Sequence, residues 1–181
     1  MKYRFQIHMS EKDYVEFNQF LIYKSPYGKK QFVSLRIVVA VMILIAVVFS
    51  LFREGAWPVL AVSLILWALV LIAAQLCLKP LYNLILKRHV KQMKKTGKMP
   101  YSSESTMEFY DDYFVETAED NKTERKYSAM ERVSVQEGKR IYIHLNRAMA
   151  YIIPVNAFES VEQYEEFLKF IKTKCSAVDF Y

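Results

Sequence analysis

The stretch that decides the fold is "IVVAVMILIAVVFSLFREGAWPVLAVSLILWALVLIAAQLCL", Ile37 to Leu78. It contains two runs without a charged residue, 37–52 and 57–78. The second run is longer than the roughly 20 helical residues that cover a hydrocarbon core about 30 Å thick. The first run reaches that length if its helix begins near Phe32. The sequence therefore predicts a transmembrane helical hairpin over residues 32–79.

Four residues at the ends of these runs are predicted to anchor the hairpin at the membrane interfaces. Long basic side chains near helix ends extend toward headgroups, and tryptophan is enriched at the same depth. The predicted interface anchors are Arg36, Arg53, Trp57 and Lys79. The alternative is a pair of buried helices in a soluble core. That alternative would need apolar surface on every side, and the rest of the chain has too little.

Basic residues are distributed unequally about the hairpin. The loop between the two runs carries one, whereas the flank before the spans carries four and the flank after them carries seven. They are Arg53 in the loop, Lys24, Lys29, Lys30 and Arg36 before it, and Lys79, Lys87, Arg88, Lys91, Lys94, Lys95 and Lys98 after it. Because short loops rich in lysine and arginine stay in the cytoplasm, we expect a multi-pass protein of the plasma membrane with both termini cytoplasmic.

The segment "LKRHVKQMKKTGK", Leu86 to Lys98, is the most basic part of the chain. Its spacing predicts an amphipathic helix in a connector over residues 80–100. The apolar side would carry Tyr82, Ile85, Leu86, His89 and Met93, and the predicted membrane-surface contacts are Lys87, Arg88, Lys91, Lys94, Lys95 and Lys98.

The net charge of +6 would also permit nucleic-acid binding. The connector, however, leaves the bilayer directly, where anionic headgroups attract each basic residue with roughly 1 kcal/mol. We therefore predict the lipid bilayer and its anionic headgroups as partners, and no nucleic acid.

After the connector, short runs alternate apolar with polar residues, which is typical of antiparallel strands. The predicted strands are Thr106 to Tyr110, Tyr113 to Ala118, Glu124 to Ser128, Met130 to Gln136, Arg140 to Leu145 and Met149 to Ile153. Six strands of this size usually curl toward a barrel or sandwich. After Pro154 the period becomes helical, and Ser160 is the predicted cap of a closing helix.

Residues 1–31 repeat this pattern on a smaller scale. Tyr3, Phe5 and Ile7 alternate with polar residues, which predicts one strand, and "SEKD" from Ser10 predicts the start of a short helix. We expect this strand to complete the sheet of the carboxyl-terminal domain.

The order of "EKDYVEF" before a two-span hairpin, then "TMEFYDDYF", "YIIPVNAF" and "YEEFLKFIK", resembles the YcxB-like family of bacterial membrane proteins. The resemblance implies that residues 101–181 form a pleckstrin-homology-like (PH-like) cytoplasmic domain, a strand-rich partial barrel closed by a carboxyl-terminal helix. It implies no defined activity. The expected fold class is thus an α+β membrane protein, with a transmembrane hairpin and an antiparallel strand-rich domain.

The sequence lacks the motifs of common catalytic and nucleotide sites, such as a nucleophile elbow or a phosphate-binding glycine loop. We predict no catalytic residue, metal site or cofactor. Asp111-Asp112 is interpreted as a turn rather than a cation site. Cys77 and Cys175 have no metal-ligand spacing and are expected to be free thiols in a reducing compartment.

These observations favour a membrane-anchored, non-enzymatic interaction or scaffold protein that presents its PH-like domain to a protein or peptide partner. Self-association is compatible with the sequence. The alternative is a bacteriocin-immunity or envelope-stress protein that acts through its transmembrane hairpin.

Overall fold

A computed structural model describes residues 1–51, 57–97, 99–119 and 121–181. The chain is a mixed α+β protein that divides into two compact units. Unit 1 comprises Met1–Tyr14 and Met99–Tyr181, and unit 2 comprises Val15–Lys98. In chain order the elements are β1 (Tyr3–His8), α1 (Glu11–Tyr23), α2 (Pro26–Leu51), α3 (Trp57–Lys95), β2 (Glu104–Phe109), β3 (Tyr113–Ala118), β4 (Lys122–Lys126), β5 (Arg132–Gln136), β6 (Arg140–His144), β7 (Ala150–Pro154), α4 (Val161–Lys174) and β8 (Val178–Phe180).

The strands of unit 1 form two four-stranded sheets, in the orders β1-β2-β3-β4 and β7-β6-β5-β8. All pairs are antiparallel except β5 with β8, which is parallel. The described strands do not close into one barrel. The six predicted strands are present as two three-stranded antiparallel meanders, β2-β3-β4 and β5-β6-β7, and the sheets also contain β1 and the short β8.

Two predicted strand boundaries were wrong. The chain forms a 3-10 turn at Tyr127–Ala129, so β4 ends at Lys126 and β5 begins only at Arg132. Tyr127 stabilises the turn, because it is buried and its hydroxyl donates to the carbonyl oxygen of Tyr110 at 2.7 Å.

The amino-terminal strand joins the sheet, as predicted. β1 pairs with β2 in a register that runs from Tyr3 opposite Phe109 to His8 opposite Glu104. The alternation that predicted the strand also determines which side chains point into the core. Phe5 and Ile7 are buried, whereas Arg4 and Gln6 are exposed.

The core of unit 1 contains an aromatic cluster around Phe167 of α4, which is fully buried. Its ring lies 4.9 Å from the rings of Phe5 and Phe109 and 5.3 Å from that of Tyr3, all in edge-to-face arrangements. Ser160 caps α4, since its Oγ accepts a hydrogen bond from the Gln163 backbone at 3.2 Å. The closing helix is therefore fixed by its cap and by one apolar face.

Two helices of unit 2, α2 and α3, are long and apolar enough to cross a membrane. The most apolar stretch of each helix is not buried within the protein. The boundaries differ from those predicted. α2 begins at Pro26 rather than near Phe32, and α3 runs unbroken through Pro80 to Lys95, so the second span and the connector are one helix.

Candidate membrane interface

The basic residues predicted to contact the membrane surface lie together on the last turns of α3. Lys87, Arg88, Lys91, Lys94 and Lys95 are all exposed, and we call these five residues the basic face. Lys98 lies outside the described residues. The sequence contains no Asp or Glu between Glu54 and Glu104, so α3 offers the basic face no acidic neighbour of its own.

The side of α3 turned away from the basic face is defined by Leu86 and Val90, which are buried. Tyr82 and Met93 lie in the same stripe and are partly buried. Of the other residues predicted for the apolar side, Ile85 and His89 are exposed. The buried stripe follows the helical period through residues 82, 86, 90 and 93, whereas 85 and 89 lie on its flank.

An exposed apolar surface leads directly into the basic face. Leu81, Leu84 and Ile85 are about half exposed or more, although they follow the charged residue Lys79. The outward-facing side chains of α3 thus change from apolar to basic between Ile85 and Lys87. This change, rather than Lys79, marks the end of the apolar surface of the helix.

α1 is held against α3 by a polar cluster within unit 2. The Asn83 Oδ1 atom accepts hydrogen bonds from Gln19 Nε2 at 3.2 Å and from the Tyr23 hydroxyl at 3.1 Å. The Tyr23 ring also contacts Phe32 at the start of α2, edge-to-face at 5.1 Å. The predicted anchor Lys79 is exposed, and its ammonium lies over the same ring, 5.1 Å from the centroid.

The turn between α1 and α2 requires a glycine. Ser25 caps α2, because its Oγ accepts a hydrogen bond from the Gly28 backbone at 3.0 Å. A Cβ atom on Gly28 would lie 1.8 Å from the carbonyl oxygen of Leu21. The end of α1 and the first turn of α2 are therefore packed backbone against backbone.

The two long helices are joined by polar contacts. Arg36 Nε donates to Gln75 Oε1 at 2.8 Å, and Gln75 Nε2 donates to the Arg36 carbonyl oxygen at 3.1 Å. Farther along the hairpin, Trp67 Nε1 donates to Ser50 Oγ at 3.1 Å. Of the other predicted anchors, Arg53 and the side chain of Trp57 lie outside the described residues.

In unit 1, the first turn of α1 is tied to β6. Asp13 accepts hydrogen bonds from the Ser10 backbone, at 2.9 Å, and from the Ser10 hydroxyl, and it forms an ion pair with Arg140. Burial opposes ionisation of the Asp13 carboxyl, but the hydrogen bonds from Ser10 and Arg140 outweigh it and hold its pKa below the usual value. The stretch "EKDYVEF" does not indicate this arginine, which lies 127 residues farther along the chain.

The Asp111-Asp112 turn connects β2 and β3, and Asp111 pairs with Lys2 at 2.6 Å. No group of three or more potential metal ligands occurs among the described residues. His144 is buried on β6, with Nε2 3.1 Å from Ser134 Oγ. Burial, with a smaller contribution from Arg132, lowers the pKa of His144 to about 4. Cys77 and Cys175 are both free thiols.

Comparison with known families bears on unit 1. Residues 109–171 match the sequence model of a family described as YcxB-like protein. Over these residues the chain is similar to the YcxB-like family. The YcxB-like segment covers the end of β2, strands β3 to β7 and most of α4, and it leaves out β1 and all three helices of the amino-terminal half. No curated protein and no solved structure matches the chain.

Proposed function

We propose that this chain is a membrane-anchored interaction protein without catalytic activity. α2 and α3 cross the plasma membrane, and unit 1 lies at the cytoplasmic surface with both termini. The observation that carries the proposal is the exposed apolar surface of α2 and α3. On α3 this apolar surface is followed by the basic face, between Ile85 and Lys87. A surface of this kind is stable in lipid, not in water.

The orientation rests on charge. Eleven lysine and arginine residues flank the apolar runs on the side of the termini, four before and seven after, against Arg53 alone between them. Because basic flanks are retained in the cytoplasm, the loop between α2 and α3 would face outward. The basic face would then contact the anionic headgroups of the cytoplasmic leaflet.

A PH-like character of unit 1 is supported by the order of its elements. A four-stranded antiparallel sheet is followed by a three-stranded meander and a carboxyl-terminal helix, and the YcxB-like match covers most of them. The sheet order leaves β4 and β8 at sheet ends. An extended peptide binds such an end by adding a strand, which is the form of partner recognition that we propose.

The experiment is capture of partners by chemical cross-linking in membranes, followed by purification of the full chain in detergent. A second version of the chain carries an unrelated two-span hairpin in place of residues 32–79. If unit 1 binds the partner, both versions recover the same cross-linked partner. Recovery of the protein alone would contradict the proposal.

Loss of the partner only in the hairpin exchange would instead favour action through the spans, as in an immunity or envelope-stress protein. The polar contacts between the spans give that second function its physical basis. Intramembrane polar groups are costly and often serve a function.

A further inference from the structure

Arg36 is the one charged residue within the apolar spans, residues 32–51 and 57–78. It lies six residues beyond Lys30, or about 9 Å farther along the axis of α2 at 1.5 Å per residue. A guanidinium at this depth costs free energy unless its hydrogen-bonding groups have partners. The partners that the protein supplies are therefore informative.

Within the part of the chain that the structure describes, one edge of this guanidinium has a protein partner. Nε donates to Gln75, and Gln75 donates back to the Arg36 carbonyl oxygen, so one glutamine fixes the side chain and the backbone together. No protein acceptor among the described residues bonds the two terminal nitrogens of Arg36. The residue is exposed on the outer surface of the hairpin, between Val33 and Ile37, which are also exposed.

The two terminal nitrogens of an arginine form a planar fork that matches two oxygens of a phosphate. Lysine cannot present this fork. Lys29 is seven residues before Arg36, on the same side of α2, and is exposed. A headgroup held at Arg36 would thus have a second cation on the side of the membrane surface.

We propose that Arg36, held by Gln75, binds the phosphate of one anionic phospholipid in the cytoplasmic leaflet. This inference rests on the proposed membrane insertion of α2 and α3. The lipid completes the hydrogen bonding of the guanidinium that the protein leaves open. Gln75 acts as a positioning residue that keeps the fork directed outward.

The test is native mass spectrometry of the full chain in detergent, titrated with phosphatidylglycerol. One molecule should stay bound to the unaltered chain under activation that removes the others. Arg36→Gln should reduce the retained fraction about tenfold, the loss expected for charge-assisted hydrogen bonds. Lys122→Gln removes the same charge from an exposed lysine of unit 1 and should leave the retained fraction unchanged.

Two further variants separate phosphate binding from folding. Arg36→Lys keeps the charge and lacks the fork, so it should lose most of the retention while eluting as the unaltered chain does in size exclusion. Gln75→Leu keeps the arginine and should reduce retention several-fold. Inorganic phosphate at millimolar concentration should not displace the lipid, because the site lies within the apolar layer.

Equal retention in the unaltered chain and in Arg36→Gln, or displacement by inorganic phosphate, would overturn the inference. Carbonate extraction of membranes separates this failure from failure of the proposed function. If the chain is extracted by carbonate, membrane insertion itself is wrong. If it stays in the membrane and retention does not depend on Arg36, only the lipid site is wrong.

Discussion

The ion pair between Asp13 and Arg140 joins residues 127 positions apart, and both side chains are largely buried, with 20% and 11% exposed. We predict that Asp13→Asn and Arg140→Gln each lower the free energy of unfolding by about 2 kcal/mol, because each leaves a partly buried charge without its partner. The double variant should lose less than the sum of the two. Chemical denaturation of the full chain in detergent measures this coupling, and strict additivity would contradict it. Ser160→Ala is the control, since it removes the cap of α4 without touching this ion pair and should cost about 1 kcal/mol.

His144 predicts a dependence of stability on pH. Its pKa is near 4 in the folded chain and near 6.5 in the unfolded chain, so only the unfolded chain binds the proton between these values. The contribution of His144 to the free energy of unfolding is therefore complete above pH 6.5. As the pH falls toward 4 this contribution is lost, which lowers the free energy of unfolding by up to about 3 kcal/mol.

The measurement is the free energy of unfolding across this pH range, with His144→Gln for comparison. The variant should lose stability at pH 7 and should show a flatter pH dependence. A slope equal to that of the unaltered chain would contradict the assignment to His144. The Asp13 ion pair should be lost only at lower pH, because the pKa of the Asp13 carboxyl is below the usual value.

At the scale of elements, the α1–α2 turn depends on Gly28. We predict that Gly28→Ala displaces the two helices, because the new Cβ would overlap the Leu21 carbonyl oxygen. The loss of stability should exceed that of Gly138→Ala, which adds no contact within 4 Å and costs about 1 kcal/mol for its positive φ of 66°. Thermal unfolding in detergent compares the two variants. Equal melting temperatures would contradict the close packing of α1 against α2 at Gly28.

The basic face makes a prediction about lipid selection. Replacing Lys87, Lys91, Lys94 and Lys95 with glutamine should lower the preference for spin-labelled phosphatidylglycerol over phosphatidylcholine in reconstituted membranes, because each lysine contributes about 1 kcal/mol near an anionic surface. Electron paramagnetic resonance measures that preference. The matched control replaces four exposed lysines of unit 1, Lys122, Lys126, Lys139 and Lys169. An equal effect in both variants would show that net charge, not the basic face, determines the preference.

At the scale of the whole molecule, the elements that could be predicted from the sequence are those whose apolar residues recur at a regular spacing or form a long run. The hairpin follows from two long apolar runs, and β1 follows from the alternation of Tyr3, Phe5 and Ile7, although its partner β2 lies beyond three helices. The parallel strand β8 has three residues, too few for a period to be recognised. The continuity of α3 was missed because Lys79-Pro80 is typical of a helix end, although proline removes only one helical hydrogen bond.

The polar contacts of the candidate site could not be predicted in the same way. Arg36 and Gln75 are 39 residues apart, and Tyr23 and Asn83 are 60 apart. Each pair depends on how two helices pack, which no spacing in the sequence encodes. In the sequence Gln75 is only a polar residue in an apolar run, and the arginine that it binds is predicted to be an interface anchor.

The central claim is that α2 and α3 cross the membrane and leave both termini on the cytoplasmic side. The direct test uses single cysteines at Lys12, Glu54 and Glu166 in a chain with Cys77→Ser and Cys175→Ala, labelled with a membrane-impermeant maleimide. In intact cells Glu54→Cys should be labelled, whereas Lys12→Cys and Glu166→Cys should react only after the membrane is opened. Labelling of Lys12→Cys or Glu166→Cys in intact cells, or protection of Glu54→Cys, would contradict the account.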